Sequence, residues 1–539
     1  VSEPAVDKMS ETSAGRGMAR VFLVLDVLLI LMVGTALRAY RLEAQSVWLD
    51  EYFSAAYLDA PDLMSCLRDQ RPENWEMVPV YYAVEYLWAQ VVGGSIEGVR
   101  WLSILFGMAA ILLTYAFGRE LAGRWAGLIA AWCLVLSPFH IFHAQGIRPY
   151  ALVTMLGVLS CYALWKALHG GPRRWWALHV AANVLLMWTH LFGILLLAPQ
   201  GLYLLVYHGR RLRRPILWIA GHLLLLLPVA LWVSTIRMVP DPAGTPPTWS
   251  DFAQLILSRD AEYLRWAGAH TDKIAELEVP LWIDVVAHAL TQIEWGLHRI
   301  LLIGSILALW WGVRRPLLRW VSRGCPQPAS PHRYLLPRND ATLLALWLCV
   351  PVLLLFAFAW MLKPGVFQSR YVIYSYPALF LLVGVGAARG TLGTRLVFLS
   401  SLVVLFGAEA SLTSAVSIRT DYRGAARLIQ AEAHPNDLVL AQNWNVMRVL
   451  AFNLDDPEVR IDWREHLPEL WQAIDSTLSQ GNDVWLVLAA DADRPELPQR
   501  CTDQFRASGI PFVRTNLLGM LNLYVFHCRP PNRPHEAAP

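Results

Sequence analysis

The side chains with the most chemistry in them sit where a very apolar chain turns. Trp48-Leu49-Asp50-Glu51 follows the first long apolar run. Adjacent acids at a helix start point about 100° apart, so one can face a cavity while the other braces it. A carboxylate held against a hydroxyl can take its proton as a new bond forms. The plainer reading is that Asp50 caps a helix over 51–58. His143-Ala-Gln145-Gly-Ile-Arg148-Pro-Tyr150 is the second candidate. Pro149 suits the first turn of a helix and sets Arg148 beside an N-terminus that itself attracts anions. Phe367-Gln368-Ser369-Arg370-Tyr371, with Lys363 nearby, and Arg100 add three more cations at similar depth. Together they suit an anionic lipid phosphate, and each also reads as an interfacial cation reaching headgroups. Thr189-His190 comes fourth; a lone membrane histidine, like His140 or His143, is a packed hydrogen-bonded residue, a ligand or a base. Glu73 and Glu76 read as solvated, with Glu76 able to turn inward.

The elements that must position these groups are membrane helices. Hydrophobic residues make up 56% of the 539 and charged ones 16%, against about 25% charged in soluble domains. Mean hydropathy is +0.39 and the net charge +3. Those values exclude a disordered chain, a nucleic-acid-binding domain and a single soluble globule. Lysine occurs only at 8, 166, 273 and 363, an arginine bias typical of GC-rich bacterial coding sequence. About eleven runs can span a bilayer: 21–37, 99–118, 125–143, 149–168, 175–191, 193–208, 215–236, 286–312, 341–362, 371–388 and 396–412. Phe192-Gly193 joins two of them with almost no loop, and Asp26 in the first reads as a helix-packing or snorkelling residue.

Residues 1–20 form a polar tail, and no small-residue cleavage site follows the first run. Arginines at 119, 124, 173, 174, 210, 211, 213 and 214, those from Arg314 to Arg338, and 389 and 395 orient the chain by the positive-inside rule, with the N-terminus cytoplasmic and the C-terminus outside. The 38–98 loop then lies outside and carries interfacial helices at 50–58 and 79–92. From 413 to 539 strands at 438–441, 484–488 and 521–526 alternate with helices at 421–433, 463–479 and 494–508, which predicts a small extracytoplasmic α/β domain. The expected fold is thus a polytopic all-α membrane domain, 21–412, followed by that α/β domain. Cys501 and Cys528 both fall in the tail, where an oxidising environment would permit a bridge. No CxxC or HExxH spacing is present.

In order, these motifs resemble the bacterial polytopic glycosyltransferases of the GT-C fold, which are similar to the protein O-mannosyltransferases and the lipid A aminoarabinose transferase. Ser46-Val-Trp-Leu-Asp-Glu51 looks like the family's acidic motif, and Pro79-Val-Tyr-Tyr82 with Arg100 looks like its "PPLYY … LR" segment. Ser137-Pro-Phe-His-Ile-Phe-His-Ala-Gln145 through Arg148 and Tyr150 looks like "SPFHIYYSQEARMYAL". Thr189-His190 looks like "THYF", and Arg370-Tyr371 with Pro377 looks like the "RY…P" helix entry. The resemblance covers about 40–412 and departs at Gly146, where the family has Glu, and at Met77, where it has His. Glu76 and His143 are the available substitutes, and a divalent metal is left possible without an assigned ligand set.

The resemblance implies transfer of a sugar from a polyprenyl-phosphate donor to a lipid, glycan or protein hydroxyl, by inverting displacement at the outer face of the bacterial cytoplasmic membrane. Asp50 would be the base and Glu51 its support. Arg100, Arg148, Arg370 and, more weakly, Lys363 would hold the donor phosphate. His190, Gln145, Tyr150, Tyr371, Glu76 and His143 would contact substrate. No nucleotide or nucleic-acid partner is implied. The rival readings are a flippase of lipid-linked sugars, an O-antigen ligase type of enzyme and an inactive scaffold of the same fold. No internal repeat of the transporter kind is visible.

Overall fold

Apolar runs of this length must close their backbone hydrogen bonds on themselves, and helices do that. The computed structural model describes residues 13–70, 78–208, 213–234, 246–257, 340–361, 366–393, 395–396, 399–400, 419–454, 459–464, 466–489, 496–517, 519 and 522–531. The chain divides into two units, 1–40 with 60–412 and 41–59 with 413–539. In chain order the helices are α1 (Ser13–Ala39), α2 (Leu49–Ala55), α3 (Leu63–Gln70), α4 (Pro79–Val92), α5 (Ile96–Ala122), α6 (Arg124–Leu136), α7 (Pro138–Ala144), α8 (Tyr150–Leu168) and α9 (Arg174–Met187). A 3-10 turn, Leu191–Leu196, leads into α10 (Leu197–His208), and α11 (Arg213–Ser234), α12 (Trp249–Leu257) and α13 (Asp340–Met361) follow. A second 3-10 segment, Ser369–Ser375, enters α14 (Tyr376–Ala387).

The chain is a multi-pass membrane protein. Among the described residues five helices are long and apolar enough to span: Arg20–Ala39, Ile96–Ala122, Tyr150–Leu168, Asp340–Met361 and Ser369–Ala387. The run expected at 125–143 is two helices, α6 and α7, bent by 64°, and counts as a sixth span if taken whole. At 175–191, 193–208 and 215–236 stand α9, α10 and α11, none of which passes as a full span; the apolar stretches there are Leu191–Leu205 and Ala220–Trp232. Most of 396–412, all of 286–312, Glu76 and Lys363 lie outside the described residues.

The break in the sixth span has a local cause. Pro138 cannot donate to the last turn of α6, so the helix ends at Leu136 and Ser137 starts a new one, its Oγ accepting from His140 N–H at 3.1 Å. The carbonyls this frees are inside the bundle. Arg38 of α1 satisfies them: Nη1 donates to Val135 O and Gly34 O at 3.1 Å, and Nη2 donates to Leu134 O at 3.0 Å and His140 Nδ1 at 2.7 Å. Asp26 is a helix-packing residue. Arg124 Nε and Nη2 grip its carboxylate, each at 2.7 Å, and Tyr115 OH donates at 2.9 Å. Helices α5 and α6 meet backbone to backbone, because a methyl on Gly127 would come within 2.5 Å of Tyr115 O.

A buried polar network ties α8 to α11. His179 Nδ1–H donates to Ser160 O at 3.1 Å while Nε2 accepts from Trp218 Nε1–H at 2.9 Å. His222 Nδ1–H donates to Trp218 O at 2.9 Å while Nε2 accepts from Asn183 at 3.0 Å. Asn183 also donates to Gln200 at 2.9 Å and accepts from Ser160 Oγ at 2.5 Å, and Gln200 returns a bond to Ser160 Oγ at 2.8 Å. Each ring has one acceptor nitrogen facing a group that can only donate there, which holds both histidines neutral in one tautomer.

The second unit carries α15 (Tyr422–Glu432), α16 (Trp444–Asn453), α17 (Leu467–Ser479) and α18 (Leu497–Ala507) around five strands: β1 (Leu438–Ala441), β2 (Arg460–Trp463), β3 (Val484–Ala489), β4 (Phe512–Leu517) and β5 (Leu523–Cys528). The sheet order is β2-β1-β3-β5-β4, parallel over β2, β1 and β3 and antiparallel at β5 and β4. Leu470, Ile474 and Leu478 of α17 and Cys501 and Phe505 of α18 pack on one face of it. Cys501 and Cys528 are free thiols, so the bridge considered from the sequence is not formed; they serve as small apolar core groups. Burial pushes the Cys501 thiol up to about 11, and burial, then Cys501 and Asp483, raises that of Cys528.

Both the network and the thiols can be probed directly. Asn183→Leu removes the hub of the network and strands its partners, so unfolding in detergent micelles should show a loss of about 1–2 kcal/mol. With both thiol pKa values raised, almost no thiolate exists at pH 8; iodoacetamide should leave Cys501 and Cys528 unmodified in the folded protein and alkylate both after denaturation.

Candidate active site

Within the first unit, the ends of three elements meet. Pro149 opens α8 and leaves Arg148 in the preceding turn, 4% exposed. Helix α9 ends at Met187, where Thr189 Oγ1 turns back to Leu185 O at 2.7 Å and His190 enters extended backbone. Arg370 and Tyr371 sit in the 3-10 segment before α14, fixed by Tyr374 OH donating to Phe192 O at 2.9 Å. The His190 ring lies 6.0 Å from the Tyr150 ring and 5.3 Å from that of Tyr371. Arg148 stands over Tyr150 at 5.9 Å and Arg370 over Tyr371 at 5.6 Å. Both guanidinium charges reach His190. Thus Arg148, Tyr150, His190, Arg370 and Tyr371 form one cluster.

The protonation of that histidine follows from its bonds. His190 Nδ1 accepts from Phe192 N–H at 3.3 Å, so in the neutral ring the proton is on Nε2. That Nε2 is buried and has no hydrogen-bond partner among the described residues. A buried donor without an acceptor costs about 1–3 kcal/mol. Arg38 Nε, His140 Nε2, Trp347 Nε1 and Trp485 Nε1 are left the same way among the described residues, but this one shares a cluster with two guanidinium groups, an arrangement able to take an anion.

The other expected residues are placed differently. Arg100 is wholly buried in α5, one turn before Ser103, whose Oγ reaches Arg148 O at 3.5 Å. His143 packs edge-on to Phe139 and Tyr150, at 4.7 and 4.8 Å. Gln145 closes α1, donating to Arg38 O at 3.0 Å and Tyr40 O at 3.1 Å. Glu85, wholly buried on α4, was missed by the sequence reading. Burial first, then its carboxylate, raises the Tyr81 phenol, on which Arg148 also acts. The signal was there: an acid inside the aromatic, apolar run 79–92.

Asp50 and Glu51 belong to the second unit. Trp48, not Asp50, holds the N-cap position of α2, and its side chain makes no capping bond. Asp50 is half-buried in the first turn. Glu51 is fully buried and ion-paired to Arg419, Oε2 to Nη1 at 2.6 Å. Among the described residues no three His, Cys, Asp or Glu side chains could hold a metal ion.

Residues 72–233 match the family model of dolichyl-phosphate-mannose-protein mannosyltransferases. The matched stretch contains the Pro79–Tyr82, Arg100, Ser137–Tyr150 and Thr189-His190 motifs. The chain is similar to GT-C-fold membrane glycosyltransferases. No curated protein matches it. Among solved structures, ArnT from Cupriavidus metallidurans in the apo state aligns over 94% of this chain and 98% of its own, at 16% identity and TM-score 0.45. The same protein bound to undecaprenyl phosphate aligns at TM-score 0.44. The Archaeoglobus fulgidus oligosaccharyltransferase in complex with zinc and sulfate aligns over 92% of this chain and 72% of its own, at 12% identity and TM-score 0.48.

His190→Phe tests the cluster. It keeps a ring among Tyr150, Phe192 and Tyr371. The lost acceptor for Phe192 N–H and the relieved orphan donor are each worth about 1 kcal/mol, so the two cancel. The melting temperature should stay unchanged while affinity for a short-chain polyprenyl phosphate, measured by calorimetry, falls about tenfold.

Proposed function

We propose that the protein transfers a sugar from a polyprenyl-phosphate donor to a hydroxyl on a lipid, glycan or protein, at the extracytoplasmic face of the cytoplasmic membrane. What supports this reading is the His190 Nε2–H, without a partner among the described residues and in one cluster with Arg148 and Arg370, whose α8 and His190 components lie in the stretch matched by the mannosyltransferase family model.

In this reading the acceptor oxygen attacks the anomeric carbon, and the bond from that carbon to the phosphate oxygen breaks with its electron pair. The leaving phosphate gains negative charge, which Arg148, Arg370 and His190, with Arg100, stabilise through their N–H donors. Lys363, outside the described residues, is a further cation for the same role. The acceptor's proton goes to the Asp50 carboxylate. A single displacement inverts the anomeric configuration. Tyr150 and Tyr371 hold the guanidinium planes, and the donor's isoprenoid tail lies against apolar helix surface. The α/β unit, extracytoplasmic with the C-terminus, handles the acceptor.

The test is transfer by the purified protein in liposomes, from a radiolabelled polyprenyl-phosphate sugar. Asp50→Asn should insert normally, bind donor as the wild type does, and lose about 10²–10⁴-fold in kcat. Full transfer by that variant would reject Asp50 as base. Absence of transfer by the wild type, with donor binding intact, would reject the enzyme in favour of a binding or flipping role.

A further inference from the structure

The proposed base sits on a helix that cannot hold itself. Helix α2 has seven residues and no side-chain N-cap bond. Isolated helices shorter than about 12 residues are marginal in water, so its orientation comes from tertiary anchors. Anchors of that kind come from the C-terminal part of the same unit. Arg423 N–H donates to Ser46 Oγ at 3.0 Å and its Nη1 to Glu43 O at 2.6 Å. Arg448 Nε donates to Tyr52 OH at 3.0 Å, and Phe452 meets the Tyr52 ring edge-on at 5.6 Å.

The deepest anchor is Glu51–Arg419, with side chains 0% and 1% exposed. Arg419 is itself held, because a side chain on Gly519 would strike its backbone and that of Thr420. Two residues on, Asp421 caps α15 through Gly424 N–H at 2.9 Å. The ion pair therefore joins the helix carrying Asp50 to the entry of α15. Glu51 and Asp50 are neighbours, about 100° apart round the helix axis. Turning Glu51 inward determines where Asp50 points.

We infer that Arg419 is a positioning residue for the reaction: through Glu51 it aims Asp50, and so makes the α/β unit part of the catalytic apparatus. This rests on the reading of Asp50 as base. A buried pair of this kind suits orientation better than net stability, since desolvation offsets much of its attraction. Tethering by a guanidinium fork is also more directional than by an ammonium.

The experiment uses the full chain in liposomes and four variants. Arg419→Met should lower kcat about 10- to 100-fold with donor KM within about twofold, and Arg419→Lys should recover part of the loss. Added to Asp50→Asn, Arg419→Met should change the residual rate less than about twofold, because residues acting through one group are non-additive. Hydrogen exchange at the amides of 50–55 should speed up in Arg419→Met. If that variant fails to fold, Glu51→Gln, which removes the charge and weakens the tether while leaving Arg419 an acceptor, carries the same comparison with a smaller expected loss. Unchanged kcat, or an equal loss whether or not Asp50→Asn is also present, would overturn the positioning role. So would unaltered exchange in α2, a readout that needs no activity. Full transfer by Asp50→Asn would instead sink the base assignment, and the positioning role with it.

Discussion

A polar group taken out of water must find a partner inside the protein. In a chain this apolar, that requirement decides which surfaces meet. Asp26 brings α1 against the start of α6 because Arg124 and Tyr115 are what answer its carboxylate. Arg38 completes three bonds at the break before Pro138, so the fracture in the sixth span and the end of α1 are one construction. Ser160, His179, Asn183, Gln200 and His222 form a network in which donors and acceptors alternate, and it locks α8 to α9, the two helices whose adjoining ends carry Arg148 and His190. His190 Nε2 is one of several buried donors without a hydrogen-bond partner among the described residues, with Arg38 Nε, His140 Nε2, Trp347 Nε1 and Trp485 Nε1. What sets it apart is its place in one cluster with Arg148 and Arg370.

Catalytic labour is divided between two units in the proposed reaction. Cations that would hold a phosphate come from membrane helices of the first, whose rigidity the network and the Gly127 contact supply. The carboxylate comes from a short helix that belongs, by its bonds, to the α/β unit. The loop after the first span is thus less a connector than a piece of the second unit's own fabric, stitched in at Glu43, Ser46, Glu51 and Tyr52.

How much of this was legible beforehand depended on the reach of the signal. Length and apolarity announced α1, α5, α8 and α13, because a spanning helix is a local property of about 20 residues. Period and burial announced β1, β3 and β5; β4 escaped because its residues are only partly buried, and β2 because it is four residues at the sheet edge. Glu85 escaped because aromatic periodicity dominated its helix. Arg419 escaped because its partner is 368 positions away.

The amino-acid sequence by itself determined the long apolar helices, the helix entry at Pro149 and which residue types stand at helix ends, since all of these rest on neighbours within a few positions; the run read straight through 125–143 is in fact broken at Pro138. Tertiary structure alone decided that Arg148, His190 and Arg370 share one cluster, that Gln145 closes a helix, and that Glu51 is bound to Arg419. Convergence of that kind depends on helix packing and on which buried charges find each other, and both are properties of the folded chain as a whole.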